Sequence, residues 1–213
     1  MFVKLCGLRT LEDATAAIKA EASALGFILA ESKRQVTPGF VASLRNELVS
    51  PPTIVGVTVN RTADELNQLF NDARLDMVQL SGDEPLEILD ELNMPVIKAL
   101  RFPEGTDVNR ATETVHDWLN HRHAAELVIV DGYKPGEFGG SGTKADWRLL
   151  REVSVRYPIV LAGGLTPENV EEAVRRVNPI GVDTSSGTET DGVKDPAKLA
   201  AFVKNARDAE VQY

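Results

Sequence analysis

Eight apolar, β-branched runs alternate with eight helical patterns. They predict an α/β protein, a single parallel eight-stranded (β/α)8 TIM barrel domain over residues 1–213. Three observations carry that expectation. The alternation is strict from end to end, which implies parallel strands joined by crossover helices. Eight units in 213 residues sit at the short end of the usual size for a closed barrel. No low-complexity segment or linker divides the chain. A doubly wound open sheet is the alternative, but it usually carries G-x-G-x-x-G after its first strand, and "CGLRT" lacks that spacing.

The elements follow in order. FVKLC at 2–6 is the first strand, followed by a helix near 10–22, where Thr10 and Asp13 make a shortened capping box. ALGFIL at 24–29 is the second strand. It precedes a helix near 37–49 that opens on Thr37-Pro38, a side-chain acceptor and then a proline at the first helical position. The third pair is TIVGVTV at 53–59 with a helix near 62–73, and the fourth is DMVQL at 76–80 with a helix near 84–92. PVIKAL at 95–100 leads to a helix near 107–122 that Asp107 can cap, and ELVIVD at 126–131 to one near 145–156. PIVLA at 158–162 is followed by a helix near 167–177 opened by Thr166-Pro167. IGVDT at 180–184 is followed by one near 195–208 opened by Asp195-Pro196.

Composition narrows the function. The chain is 43% hydrophobic and 26% charged, ordinary for a globular protein, and no apolar run is long enough to span a bilayer. "MFVKLCGLRT" has no apolar core of a signal peptide, and one cysteine cannot form an internal disulfide, so the expected compartment is the reducing cytoplasm. A net charge of -9 argues against nucleic acid as a partner. It leaves room for a small anion, which helix N-termini and a few placed cations can hold on an acidic protein.

In a barrel, active sites form at the C-terminal ends of the strands, so the informative residues are polar ones where a strand should be apolar. Lys4 and Cys6 lie two apart, on one face of the first strand. Gln79 falls on the fourth strand, Lys98 on the fifth, Asp131 at the end of the sixth, and Asp183 on the eighth. Each also has a plain structural reading. A lone strand cysteine is a common buried small side chain, and the two lysines can be lower-layer charges paired with carboxylates. Asp131 before Gly132 can be a turn former.

"AGGLTPENV" places Gly163 and Gly164 after the seventh strand, and "VDTSSGTE" places Ser185, Ser186 and Gly187 after the eighth. Small residues let backbone N–H groups approach an anion, and the loops after strands seven and eight are a frequent phosphate site in barrels. Both loops together point to a phosphorylated small-molecule substrate with one phosphate, because "SGDEP" after strand four has less of that character. The long glycine-rich segment "DGYKPGEFGGSGTKADW" reads as a mobile cover over the site or as an exposed turn. His116, His121 and His123 all lie in or just after the fifth helix, away from strand ends, so no metal is expected, and without a dinucleotide fingerprint no redox cofactor is expected either.

Together, "KLCGLRTLEDA", "SKRQVTP", "VQLSGDE", "IKAL", "VDGYKPGEFGGSGTKADW", "LAGGLTPENV" and "GVDTSSGTE" resemble phosphoribosylanthranilate isomerase, in the family's order and over nearly the whole chain. The resemblance implies a (β/α)8 barrel of tryptophan biosynthesis. Its reaction is a cofactor-free Amadori rearrangement of N-(5′-phosphoribosyl)anthranilate to 1-(2-carboxyphenylamino)-1-deoxyribulose 5-phosphate. It also implies roles. Cys6 matches the general base, Asp131 the general acid, and Arg34 the arginine that meets the anthranilate carboxylate. Gln79 matches a substrate-binding position, Asp183 one near the sugar, and Gly163, Gly164, Ser185, Ser186 and Gly187 match the phosphate loops. A monomer or a homodimer fits equally. One departure stands out: Ser81 occupies a position where family members commonly have histidine, read here as a supporting one.

Other readings are weaker. The related isomerase of histidine biosynthesis would want a second phosphate loop after strands three and four and an aspartate in place of Cys6. A sugar-phosphate epimerase would want metal-ligand histidines at strand ends. A non-catalytic phosphate-binding module has only Ser81 in its favour.

Overall fold

The computed structural model describes residues 1–132 and 146–210. The proposed cover loop falls largely on 133–145, outside the described residues. Eight parallel strands close into a barrel in sequence order: β1 Phe2–Cys6, β2 Ala24–Ile28, β3 Thr53–Thr58, β4 Met77–Leu80, β5 Val96–Arg101, β6 Leu127–Asp131, β7 Ile159–Leu161 and β8 Gly181–Thr184. The closing β1–β8 pair sets Lys4 beside Asp183. Among the described residues, seven α-helices cover the outside: α1 Leu11–Lys19, α2 Pro38–Glu47, α3 Ala63–Asp72, α4 Val108–Asn120, α5 Trp147–Ser154, α6 Val170–Val177 and α7 Pro196–Asp208.

Strand parity divides the apolar residues into two cores. A smaller inner cluster fills the barrel, with Ala24, Val55, Ile97, Ala99, Ile129 and Val160 among its members. The larger outer cluster lies between strands and helices and includes Leu5, Leu25, Phe27, Ile54 and Phe202.

Most helix starts form as their caps predict. The Thr37, Asp107 and Asp195 side chains each accept from backbone N–H groups of the first turn. Thr10 accepts from the Asp13 amide at 3.0 Å, but the Asp13 carboxylate reaches back to the Arg9 amide rather than to that of Thr10. A full capping box, Thr62 with Glu65, opens α3.

Two expectations need correction, and one feature was not expected. The helix near 84–92 is a 3₁₀ helix over Leu86–Glu91, which starts after Pro85 with no side-chain cap. Thr166-Pro167 opens a turn, and α6 begins three residues beyond the proline; Asn169 fastens that turn by accepting from Thr166 N and donating to Gly164 O. After β8 the chain makes a short 3₁₀ turn, Ser186–Thr188, and an unforeseen hairpin of β9 Glu189–Thr190 and β10 Val193–Lys194. The Asp191-Gly192 tip has positive φ at both residues, as a two-residue hairpin of the right twist demands.

Candidate active site

The C-terminal ends of the strands surround a cleft of about 1020 Å³. Six of the ten proposed site residues line it: Cys6, Arg34, Gln79, Asp131, Asp183 and Ser185. Gly163, Gly164, Ser186 and Gly187 lie in the loops beside it. Gly163 has φ +94, and a Cβ there would stand 2.5 Å from Gly132 N and 3.0 Å from an Asp131 oxygen. A Cβ on Gly187 would stand 1.8 Å from Leu165 O, which also accepts from Thr184 Oγ1 at 2.7 Å. These two glycines therefore let the β7 and β8 loops pack together and against Asp131. The Ser185 hydroxyl is buried with no partner, and so is Oε1 of Gln79. Unpaired buried polar atoms carry a cost, and a ligand hydroxyl or phosphate would relieve it.

The charges are concentrated around β1 and β8. The Lys4 ammonium is fully buried and donates to Asp183 Oδ1 at 2.9 Å. Burial lowers the pKa of Lys4, but the charge of Asp183 and then of Cys6 more than compensates, so it is raised. Cys6 is 6% exposed. Burial pushes its thiol up and Asp183 adds to that, while Lys4 and Lys194 pull it down; the net shift is upward. Lys4 thus tempers the cost of a thiolate without removing it. Asp131 accepts from its neighbour Gly132 N at 2.7 Å. Burial and then Asp183 push its carboxyl up to about 6, against the opposing effects of that amide, Arg101 and Lys4.

Ser81 is buried and accepts from Gln79 Nε2 at 3.0 Å, so the residue at the departing position still orients a cleft side chain. Arg34 lines the cleft but holds Glu189 with two bonds, Nε to Oε1 at 2.6 Å and Nη2 to Oε2 at 2.8 Å.

Lys98 is placed differently from the sequence expectation. Ile97 and Ala99 line the inner cluster, so Lys98 between them points outward. It donates to Glu84 at 2.6 Å and lies 4.9 Å from the centre of the Trp118 ring on α4.

Three functional candidates escaped the sequence reading. Arg101 lines the cleft near Asp131 and donates to Ser81 O at 2.9 Å. It lies two residues beyond Ala99 on the inward face, a parity that the structure shows and the unalternating sequence does not. Glu189 and Lys194 come from the hairpin, for which Asp191-Gly192 was the available cue. Among the described residues, no group of three or more histidine, cysteine, aspartate or glutamate side chains could hold a metal ion, and no helix is long and apolar enough to cross a membrane.

Residues 3–205 match the family model described as N-(5'phosphoribosyl)anthranilate (PRA) isomerase. An N-(5'-phosphoribosyl)anthranilate isomerase of Roseiflexus castenholzii is 42% identical over 98% of this chain and 99% of its own. The crystal structure of phosphoribosyl anthranilate isomerase from Thermotoga maritima superimposes with a TM-score of 0.84 at 33% identity, covering 98% of this chain and 99% of that one. Another structure of this enzyme, in complex with reduced 1-(o-carboxyphenylamino)-1-deoxyribulose 5-phosphate, gives a TM-score of 0.81 at 32% identity over 98% and 99% of the two chains.

Proposed function

We infer the mechanism from the premise that the chain belongs to the N-(5′-phosphoribosyl)anthranilate isomerase family. Its reaction is the isomerisation of N-(5′-phosphoribosyl)anthranilate in tryptophan biosynthesis. Asp131 is the general acid. It protonates the furanose ring oxygen while the anilinic nitrogen assists from the anomeric carbon, and the ring opens to a Schiff-base cation. That cation makes the proton on sugar C2 acidic. Cys6, as thiolate, removes it, and the resulting enolamine becomes the ketone. Arg34 takes the anthranilate carboxylate. Gln79 and Asp183 hold the sugar, and the loops with Gly163, Gly164, Ser185, Ser186 and Gly187 hold the phosphate. Cytoplasmic location fits a chain whose lone cysteine must stay a thiol.

The observation that carries this reading is that Cys6 and Asp131 line one cleft and the charge of Asp183 acts on both. The acid's pKa lies below the base's. The working form, protonated Asp131 with Cys6 thiolate, is therefore a minor species whose fraction is constant between about pH 6 and the thiol's pKa and falls outside. The test is the fluorescence of phosphoribosylanthranilate, followed as it disappears. Cys6→Ala and Asp131→Asn are each expected to lower turnover by several orders of magnitude with the fold intact. Asp131→Asn should also erase the limb near pH 6 from any residual pH profile. Near-normal turnover in either variant would sink the assignment.

A further inference from the structure

The hairpin after β8 contributes a pair of charges that no step above uses. Glu189 is 7% exposed at its side chain and is held from two sides. Arg34, 155 residues away in sequence, forks onto both of its oxygens. Lys194, 1% exposed at its side chain, approaches Oε1 at 3.3 Å and donates to Ser185 O at 2.6 Å. One carboxylate thus joins the loop after β2 to the loop after β8. The stem of Arg34 passes close over Gly7: a Cβ there would stand 2.8 Å from Arg34 Cδ and 2.8 Å from Ser185 Oγ, so glycine leaves the room the arginine occupies.

The geometry has a direction. A guanidinium carries five N–H donors in a planar fork. Glu189 takes Nε and one hydrogen of Nη2. What remains is the opposite edge, made by Nη1 and the second Nη2 hydrogen, and that edge can receive a second carboxylate in bidentate fashion. Two cations around one anion also leave a net positive charge, so the cluster still attracts an anion.

We propose that Glu189, steadied by Lys194, is a positioning residue that turns the Nη1–Nη2 edge of Arg34 toward the carboxylate of the substrate and so sets selectivity for a carboxylated aromatic amine. This rests on the reading of Arg34 as the carboxylate-binding residue. Without Glu189, Arg34 is a long flexible cation at a cleft mouth and loses the pre-orientation that makes bidentate recognition effective.

The experiment is titration calorimetry with two ligands: reduced 1-(o-carboxyphenylamino)-1-deoxyribulose 5-phosphate and the same compound without its carboxylate. Glu189→Gln is expected to cut the preference for the carboxylated ligand about tenfold, leaving affinity for the other unchanged. Arg34→Ala should abolish the preference, and Glu189→Gln added to it should remove nothing more. Glu189→Asp keeps the charge and withdraws it by one methylene. It should lose part of the preference too, and carries the same test should the glutamine variant melt early. If Glu189→Gln weakens both ligands equally, or keeps the full preference while Arg34→Ala loses it, the positioning role is overturned and the role of Arg34 stands. If Arg34→Ala keeps the preference, the role of Arg34 falls, and that of Glu189 with it.

Discussion

Lys4 and Lys98 are both buried strand lysines paired to a carboxylate, and they face opposite sides of the same barrel wall. Lys98 points outward into a closed network. Glu84 accepts from Lys98 on one oxygen and from the amides of Asn60 and Gly82 on the other, at 2.9 and 3.1 Å. Lys98 in turn donates to Gly82 O at 2.9 Å and lies over Trp118. The network is satisfied within the protein, and its plain purpose is to tie the β3 and β4 loops to β5. Lys4 points inward. Its partner Asp183 is bonded to it through Oδ1 and lines the open cleft, and its charge reaches both Cys6 and Asp131. For Lys98, burial outweighs Glu84 and the pKa falls; for Lys4, Asp183 and Cys6 outweigh burial and it rises. The same residue type with the same kind of partner is thus a brace on one face and part of an incomplete, ligand-facing charge cluster on the other.

The comparison breaks most visibly in turnover. Lys4→Met removes the cation that tempers the Cys6 thiolate and strands Asp183, and should lower kcat on the order of 10²- to 10³-fold, the scale of losing a preorganised charge at a reacting centre. Lys98→Met, of similar volume, should leave kcat within about threefold, because its head group never reaches the cleft. Equal losses in the two variants, read by the same fluorescence assay, would erase the distinction. The brace around Lys98 is read in stability instead. Glu84→Gln leaves a buried ammonium without its counter-charge and should cost about 3 kcal/mol in denaturant unfolding. Adding Lys98→Met should restore much of that, because it removes the buried charge that Glu84→Gln leaves unpaired.

The two lysines also mark the limit of what a sequence displays. The (β/α)8 order was legible because eight runs alternate with patterned, capped helices, and Thr37, Asp107 and Asp195 do what their chemistry predicts. The polar residues at strand ends were legible as exceptions to an apolar rule. Which side of the wall they take was clear for Lys4, two residues before Cys6. It was obscure for Lys98, because parallel strands are buried on both faces and "VIKALR" shows no alternation to read. Arg101 was missed for the same reason, although it shares the inward face with Ala99. The grip of Glu189 on Arg34 spans 155 residues and depends on a hairpin of two-residue strands, too short for any periodic signal. Local chemistry can be read along a chain, whereas a partner brought back from the other end of it by barrel closure, with β2 and β8 on either side of β1, cannot.

A subtler contrast concerns stability at the site itself. The carboxyl of Asp131 is raised from its ordinary 3.8 to about 6, so the folded chain binds that proton more tightly than the unfolded one does. Between those values unfolding releases the proton, and stability falls as pH rises; above about 6 the full cost of keeping the carboxylate is present. Two units correspond to about 3 kcal/mol, and partial exposure of the side chain reduces this to about 2. Asp131→Asn removes the ionisation while keeping an oxygen for the Gly132 amide. The variant should therefore unfold about 2 kcal/mol later than wild type at pH 7.5, and the gap should close as pH falls through 6 toward 4. Glu84→Gln should show the opposite sign at pH 7.5. Paired denaturant curves at the two pH values test both. A destabilised Asp131→Asn protein at neutral pH would mean that the carboxylate is braced like Glu84, not held in reserve as an acid.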